Sequence, residues 1–316
     1  MPVAEAIQQD VVKRCAVFQE ILVATDFSKA SRRALTEAVA LASENDAHLS
    51  VVHVLLADWR YEMLENPPEL DLERQDAEQK LAELIQSVPC ERKIETTLLK
   101  QSSIAEAVAI EARDRAADLL VVGTRGLGGI AKMALGSVAE ELLRIAPCPV
   151  MTMGPHADVS PESGFKSILF ATDFGKGSAK ALPLALGLAK LHGAKLILLH
   201  MISPMPVTSA NVSGYAPAPA AADEVQGWVD ASRKHCLQQL RECLPVDLKL
   251  VQPPEFVAGT DFLPEGIFAA VEKFHVDLIV MGANHAGSAK VAAHIPWSAV
   301  HEVARNARCP VLTVAG

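Results

Sequence analysis

Short apolar runs alternate along this chain with longer segments in which apolar residues recur at helical spacing. Over the first half, this pattern predicts strands at 20–25, 48–55, 93–99, 118–122 and 149–153, separated by helices at 29–44, 70–87, 103–116 and 137–146. The predicted strands are rich in Val, Ile and Leu, which is typical of buried strands covered by helices on both sides. We therefore expect an α/β protein with a doubly wound, mainly parallel sheet.

Three segments of the first half recur in the second half. Residues 21–28 (ILVATDFS) return as 168–175 (ILFATDFG), residues 117–123 (ADLLVVG) return as 276–282 (VDLIVMG), and Cys148-Pro149-Val150 returns as Cys309-Pro310-Val311. Self-similarity over about half the chain indicates two copies of one domain.

The repeat divides the 316 residues into two domains, which is also the number that the length favours. We assign domain 1 to residues 17–154 and domain 2 to residues 165–316. A polar segment with Gly and Pro residues at its ends joins the two domains. Domain 2 carries an additional Ala- and Pro-rich stretch at 203–222, which we interpret as a low-complexity loop, with a mobile cover as the alternative.

Composition excludes several classes of partner. The net charge is −9 and only 4% of the residues are aromatic, whereas nucleic-acid binding uses a basic surface and stacking rings. No apolar run approaches the roughly 20 residues that a membrane span requires. We expect no nucleic acid, no membrane and a cytoplasmic location.

The six cysteines contain no C-x-x-C pair, so neither a zinc ribbon nor a redox dithiol is indicated. Cys148 and Cys309 stand at equivalent strand starts and are expected to pack in the core. Cys236 and Cys243 lie seven residues apart on one predicted helix face, where closing a disulfide would strain the backbone.

A glycine-rich loop follows the predicted strand 118–122. Gly123, Gly126 and Gly136 lie around this loop, and Ser137 opens the next predicted helix. Glycines let backbone N–H groups approach an anion, and the first turn of a helix has free N–H donors. The loop is therefore a candidate phosphate cradle, although a tight strand-to-helix turn would have the same composition.

Asp26 follows the first predicted strand as Gly123 follows the fourth. Ligands of doubly wound sheets bind beyond the carboxyl ends of the strands, where the strand order reverses. If these two strands are neighbours, Asp26 can accept hydrogen bonds from a base or sugar while the loop holds phosphate. Alternatively, Asp26 is a helix N-cap or a turn carboxylate. The predicted proximity of the glycine-rich loop favours the ligand site.

At these residues the chain resembles the universal stress protein family in its tandem two-domain form, from about Phe18 to Val314. ATP-binding members of that family carry G-x2-G-x9-G-[S/T], and the glycines and serine of the loop meet this pattern without a gap. The resemblance implies a Rossmann-like fold with strand order 3-2-1-4-5 in each domain. It also implies that the last strands of the two copies pair with each other, so that one chain forms a pseudo-dimer and any further homodimer uses another surface.

The same resemblance implies ATP as ligand, with Mg²⁺ as a candidate companion. Adenine and ribose are expected near Ala24, Thr25, Asp26 and Val54, and phosphates on Gly123, Gly126, Gly136, Ser137 and Val138, with Val122 and Arg125 as further members of the set. Arg125 and Lys132 either add positive charge to the phosphates or are solvated loop residues. Ser137 and Glu140 also form a capping-box pattern that would use some of the same helix donors.

Domain 2 departs from the pattern in its loop. Aligning Cys309 with Cys148 puts His285 on Gly126 and Trp297-Ser298 on Gly136-Ser137. Large rings then stand where backbone would approach phosphate, so we expect no nucleotide in the same pose there. His285, His294 and His301 lack the paired spacing of a zinc site, and His53 and His200 recur at one repeat position, which favours hydrogen-bonded structural histidines.

The leading hypothesis is a cytosolic ATP-binding protein with a regulatory or stress-response role. A protein-interaction scaffold that binds no nucleotide is the alternative from another class. An enzyme is not expected, apart from slow ATP hydrolysis, because no nucleophile stands beside a base. The sequence names neither the stress nor a protein partner.

Overall fold

The computed structural model describes residues 18–57, 68–124, 135–158, 164–202, 222–283, 295 and 297–316. In domain 1 the strands are β1 Glu20–Ala24, β2 His48–Leu56, β3 Ile94–Gln101, β4 Leu119–Gly123 and β5 Val150–Met153. The helices between them are α1 Lys29–Asn45, α2 Pro68–Gln86, α3 Ile104–Asp114 and α4 Ser137–Ile145.

Domain 2 repeats this order. Its strands are β6 Ser167–Ala171, β7 Lys195–Met201, β8 Glu255–Gly259, β9 Leu278–Ala283 and β10 Val311–Ala315. Its helices are α5 Lys176–His192, α6 Ala222–Glu242, α7 Glu265–Phe274 and α8 Trp297–Asn306. Most of the Ala- and Pro-rich stretch predicted as a loop lies outside the described residues, and Ala222 already belongs to α6.

All ten strands join one sheet in the order β3-β2-β1-β4-β5-β10-β9-β6-β7-β8. The predicted 3-2-1-4-5 order is confirmed in domain 1, and domain 2 has the corresponding order. Every neighbouring pair is parallel except β5 and β10, which are antiparallel with Met151 opposite Leu312. The last strands of the two copies therefore pair within one chain, and the pseudo-dimer prediction is confirmed.

The core differs between the two faces of the sheet. On one face, a single cluster of buried side chains runs across both domains, from Leu35 of α1 to Leu182 of α5, with Met151 and Leu312 at its centre. On the other face there are two clusters, one within domain 2 and one in domain 1 that also includes Ala304 of domain 2. Trp297 of α8 packs against both of these clusters and is one of the places where they meet.

A repeated aspartate fixes the start of the first strand of each copy. Asp118 accepts hydrogen bonds from the backbone N–H groups of Gln19 (2.7 Å) and Glu20 (3.2 Å). Asp277 does the same for Lys166 and Ser167, at 2.7 and 3.1 Å. These carboxylates lie at the amino end of the sheet, opposite the edge at which ligands are expected, and their role is structural.

Two local predictions need correction. The predicted helix at 103–116 ends at Asp114, and Ala116 takes a left-handed backbone with a φ of 52°. The helix that carries Cys236 ends at Glu242, one residue before Cys243, whose N–H still donates to the Gln239 carbonyl oxygen at 3.0 Å. In the described part of the chain, no helix has the length and apolar character needed to cross a membrane.

Candidate functional site

The site lies where the strand order reverses. Ala24 at the end of β1 pairs with Val52 of β2 on one side and with Val122 of β4 on the other. The next residue, Thr25, donates its backbone N–H to the Val52 carbonyl oxygen at 2.9 Å. The carboxyl ends of β1 and β4 are therefore neighbours, which is the arrangement that opens a ligand crevice in a doubly wound sheet.

Two side chains build the turn that follows β1. The Thr25 hydroxyl accepts the Phe27 N–H at 3.1 Å, and Asp26 Oδ1 accepts the Ser28 N–H at 3.0 Å. Phe27 has a φ of 64°, a left-handed conformation that these two contacts hold. Ser28 is the N-cap of α1, accepting the Ser31 N–H at 3.2 Å. Of the two structural alternatives for Asp26, the turn carboxylate is the one observed.

His53 supports the same turn from β2. Its Nδ1 lies 2.7 Å from the Thr25 carbonyl oxygen, and its ring lies 4.4 Å from the Phe27 ring, centroid to centroid. His200 repeats this arrangement in domain 2 with Thr172 and Phe174. Burial lowers the pKa of His200. Both histidines are hydrogen-bonded structural residues, as the repeat predicts.

Gly123 is required by packing. A Cβ at this position would lie 2.7 Å from the Ser31 backbone nitrogen and 2.8 Å from the Ala30 carbonyl carbon. Gly282, its counterpart in domain 2, would bring a Cβ within 2.1 Å of Gly177 and Ser178. This glycine, which is the last residue of β4 and the last but one of β9, thus lets the first helix of each copy approach the sheet, whether or not an anion binds.

The ends of the glycine loop are tied together. Gly136 donates its N–H to the Thr124 carbonyl oxygen at 2.8 Å, and Thr124 donates its own N–H to the Met153 carbonyl oxygen at 3.0 Å. The two ends of the loop therefore lie next to each other, beside the ends of β4 and β5. Its interior, with Arg125, Gly126 and Lys132, lies outside the described residues.

Helix α4 starts without a side-chain cap. Gly136, in an extended conformation, occupies the N-cap position, and its carbonyl oxygen accepts the Glu140 N–H at 2.9 Å. Ser137 is consequently the first residue of the helix and is exposed. The capping-box prediction is wrong because the helix begins one residue earlier than that pattern needs, which makes Ser137 the first helical residue and not the N-cap. The N–H groups of the first turn are thus left without a capping side chain from α4 itself.

The apolar members of the predicted set come together in one place. Val54 and Val122 are buried in the cluster on the α4 side of the sheet, and Ala24 and Val138 pack against the same cluster. The fold therefore brings the described residues of the predicted set, from β1, β2, β4 and the start of α4, to one end of domain 1.

In domain 2, the carboxylate of Asp173 corresponds to that of Asp26 and is hydrogen-bonded to other groups of its own domain. Asp173 is buried, and its Oδ1 accepts hydrogen bonds from the Gly175 N–H at 2.8 Å and the Ser178 hydroxyl at 2.6 Å. Its Oδ2 accepts the Ile295 N–H at 2.9 Å, which pins the end of the domain 2 loop. Asp26 is less buried than Asp173. The two copies have thus diverged at the carboxylate as well as in the loop.

Metal and thiol chemistry find little support among these residues. Across the described ranges, no three His, Cys, Asp or Glu side chains form a group that could hold a metal ion; His285 and His294 fall outside those ranges. Burial, with a smaller effect of Asp118, raises the pKa of Cys148 to about 12, and burial likewise raises that of Cys309 to about 12. Both thiols stay protonated at neutral pH and pack at the strand starts.

The sequence analysis missed one group near this site. Trp297, His301 and Arg144 form a contact between the two domains beside α4, with the Arg144 guanidinium carbon 5.5 Å from the Trp297 ring centroid. The only signal in the sequence was the replacement of Gly136 by a tryptophan at the equivalent position of domain 2. From the sequence, that replacement predicts a loss of phosphate binding in domain 2; in the structure the indole also adds a contact between the domains.

Comparison with known proteins identifies relatives of both halves. A family model described as the Universal stress protein family matches residues 18–153 and again residues 164–315. Among curated proteins, a universal stress protein of Thermus aquaticus is 37% identical over 138 residues, covering 43% of this chain and 98% of the relative. A universal stress protein of Bacillus subtilis is 30% identical over 145 residues, with 43% and 98% covered.

Solved structures extend the likeness to the whole chain. A universal stress protein from Archaeoglobus fulgidus is similar with a TM-score of 0.61 at 18% identity, over 94% of this chain and 98% of that one. A functionally unknown protein from Pseudomonas aeruginosa has a TM-score of 0.54 at 16% identity, over 98% and 94%. At these identities the two structures show the shared fold alone. With the family model matching both halves and the tandem sheet in place, the chain belongs to the universal stress protein family as a member with two tandem domains.

Proposed function

We propose that this protein is a cytoplasmic regulatory or stress-response protein that binds ATP in domain 1. The observation that carries the proposal is the start of α4, a helix without a side-chain cap whose N-cap residue Gly136 is hydrogen-bonded to Thr124 at the end of β4, the strand that pairs with β1. Such a helix start offers backbone N–H donors and a partial positive charge to an anion. The complete glycine pattern of the family supports ATP as the anion's source.

Within this proposal, the predicted residues have different tasks. The Gly136 N–H already binds Thr124, so the phosphate donors would be the N–H groups of Ser137 and Val138 and the Ser137 hydroxyl. Ala24, Thr25, Asp26 and Val54 would surround adenine and ribose. Gly126 and Arg125 would contribute from the loop, and Val122 and Gly123 would form the floor beside β1.

Mg²⁺ would accompany the phosphates of the nucleotide. Domain 1 offers no described carboxylate group dedicated to a cation. The ATP phosphates themselves would supply oxygen ligands, as Mg²⁺ prefers when it is bound with nucleotides. Catalysis is not part of the proposal.

The direct test is to identify the small molecules that co-purify with the protein and then to measure ATP binding by calorimetry. Ser137→Ala should weaken ATP binding because it removes one hydroxyl donor from the first turn of α4. Ser298→Ala is the matched control, since Ser298 holds the same repeat position and is also exposed. We expect Ser298→Ala to bind ATP as the natural chain does.

Three results would count against the proposal. Absence of any ATP effect on melting temperature at millimolar nucleotide would favour the scaffold function instead. Equal effects of the two serine substitutions would argue that α4 does not hold the phosphates. Preference for cAMP, which is present in the crystal structure of one universal stress protein, would change the identity of the ligand.

A further inference from the structure

Helix α4 is supported from two sides, and one of these belongs to the other domain. Leu142 and Leu143 bury the inner side of α4 in domain 1. From domain 2, Ala304 of α8 is a buried member of the same cluster, and Trp297 packs against it. Because α4 has only nine residues, its position depends on these tertiary contacts more than on its own helical stability.

The contacts between α4 and α8 are specific. Arg144 lies over the Trp297 ring, which His301 contacts edge-on with the ring centroids 5.0 Å apart. Glu140 Oε1 lies 3.3 Å from an Arg144 nitrogen and 3.8 Å from His301 Nδ1. Burial lowers the pKa of His301, against an opposing effect of Glu140. His301 is therefore neutral at neutral pH and contributes chiefly by packing, while Arg144 gains a cation–π contact.

The repeat shows that this contact is one-sided. Trp297 holds the position of Gly136, and His301 holds the position of Glu140. At one repeat position, domain 1 keeps a residue without a side chain at the start of α4, and domain 2 places an indole that reaches across to α4. A reciprocal contact from Gly136 to α8 cannot exist, because glycine has no side chain.

We propose that domain 2 fixes the helix that holds phosphate in domain 1, and that Trp297 and His301 are positioning residues of that site. The inference rests on the proposed ATP binding. The backbone N–H groups in the first turn of an uncapped helix bind an anion well only if the helix is held in place before the ligand arrives. Adenosine has no phosphate, so its binding through β1 and β2 should not depend on α4.

The experiment compares ATP and adenosine on full-length protein. Trp297→Ala should weaken ATP binding roughly threefold to tenfold, the range expected for residues that act without touching the ligand. Adenosine affinity, measured by ligand-detected NMR, should be unchanged. Trp297→Phe should keep most of the ATP preference, because a phenyl ring still offers a face to Arg144.

The control is a second interdomain contact that lies on the other face of the sheet. His192 of α5 approaches Glu44 of α1 across the domains, with His192 Nδ1 3.6 Å from Glu44 Oε2. Asn45 holds the position of His192 in domain 1. His192→Asn should therefore leave the ratio of ATP to adenosine affinity as it is, even if it lowers overall stability.

A readout without ligand tests the positioning itself. In the nucleotide-free protein, Trp297→Ala should increase hydrogen exchange of the hydrogen-bonded amides at 140–145 relative to those of α3. Unchanged exchange, unchanged ATP affinity, or an equal loss of ATP and adenosine affinity would each overturn the inference. If the natural chain binds neither ligand, the proposed function itself has failed, and that outcome is visible before any variant is made.

Discussion

At the scale of single residues, the glycines of the loop have separate reasons to be glycine. Gly123 has no room for a Cβ because the first turn of α1 lies against it. Gly136 has slightly more room, with a Cβ position 3.1 Å from the Thr124 carbonyl oxygen. The motif that indicates nucleotide binding in the sequence is thus partly a packing motif, and the retention of Gly282 in domain 2 agrees with that.

Gly123→Ala should consequently destabilise the fold rather than only weaken nucleotide binding. The added methyl group must push α1 from the sheet, and overpacking of this kind costs about 1–3 kcal/mol. Gly227→Ala is the matched control, because nothing lies within 4 Å of its Cβ position and the residue is inside α6. We expect that control to leave the free energy of unfolding unchanged or to raise it by up to about 1 kcal/mol. Equal denaturation midpoints for the two variants would contradict the packing argument.

At the scale of elements, the sequence predicted strands and helices closely because the inner strands are buried on both faces and the helices have one apolar side. The sequence did not predict the start of α4 correctly, because Gly136 and Ser137 are neighbours and either could be the N-cap. Ser137 fits a capping box in sequence, yet Gly136 takes the N-cap position because its N–H donates to the Thr124 carbonyl oxygen at the other end of the loop. The contact of Trp297 with Arg144 was equally out of reach, since it depends on how two domains meet.

The ends of α1 and α5 form an element-scale contact whose stability depends on pH. His192 is buried against Glu44 and lies close to Gly164, the residue before domain 2, and burial lowers the pKa of its imidazole. The folded protein therefore binds fewer protons than the unfolded chain as pH falls through about 6.5, and stability is lost in that direction. Burial raises the pKa of Glu44, which acts in the opposite sense at lower pH.

His192→Asn should reduce the loss of stability between about pH 7 and pH 5, because asparagine does not titrate. The measurement is a series of chemical denaturation curves across that pH range. Asn45 occupies the same repeat position in α1, so an amide is compatible with a helix end of this kind. A variant whose stability falls with acid as steeply as that of the natural chain would show that His192 does not carry the effect.

At the scale of the whole molecule, duplication has produced two halves with one sheet but different sites. Asp173 is buried and accepts hydrogen bonds from the Ser178 hydroxyl and the Ile295 N–H, and Trp297 stands at the repeat position of Gly136. We therefore expect one nucleotide per chain, and calorimetry should return a stoichiometry near one. Two equivalent sites would contradict this expectation, and so would crystallographic density for ATP beside Gly282.

The single sheet also predicts how the chain unfolds. Leu312 and Met151 face each other at the β5–β10 pair, both without exposed surface, inside a cluster that spans the two domains. Because this cluster is continuous, the natural chain should unfold in one cooperative transition.

Leu312→Lys places a charge without a partner inside this cluster and should cost at least about 3 kcal/mol. The substitution should either split the transition in two or expose strand edges that associate between chains. Leu72→Lys, at a leucine that is 65% exposed, should change stability by no more than about 0.5 kcal/mol. Two separate transitions in the natural chain, or a Leu312→Lys protein as stable as the Leu72→Lys control, would mean that the domains fold independently and that their shared sheet adds nothing to stability.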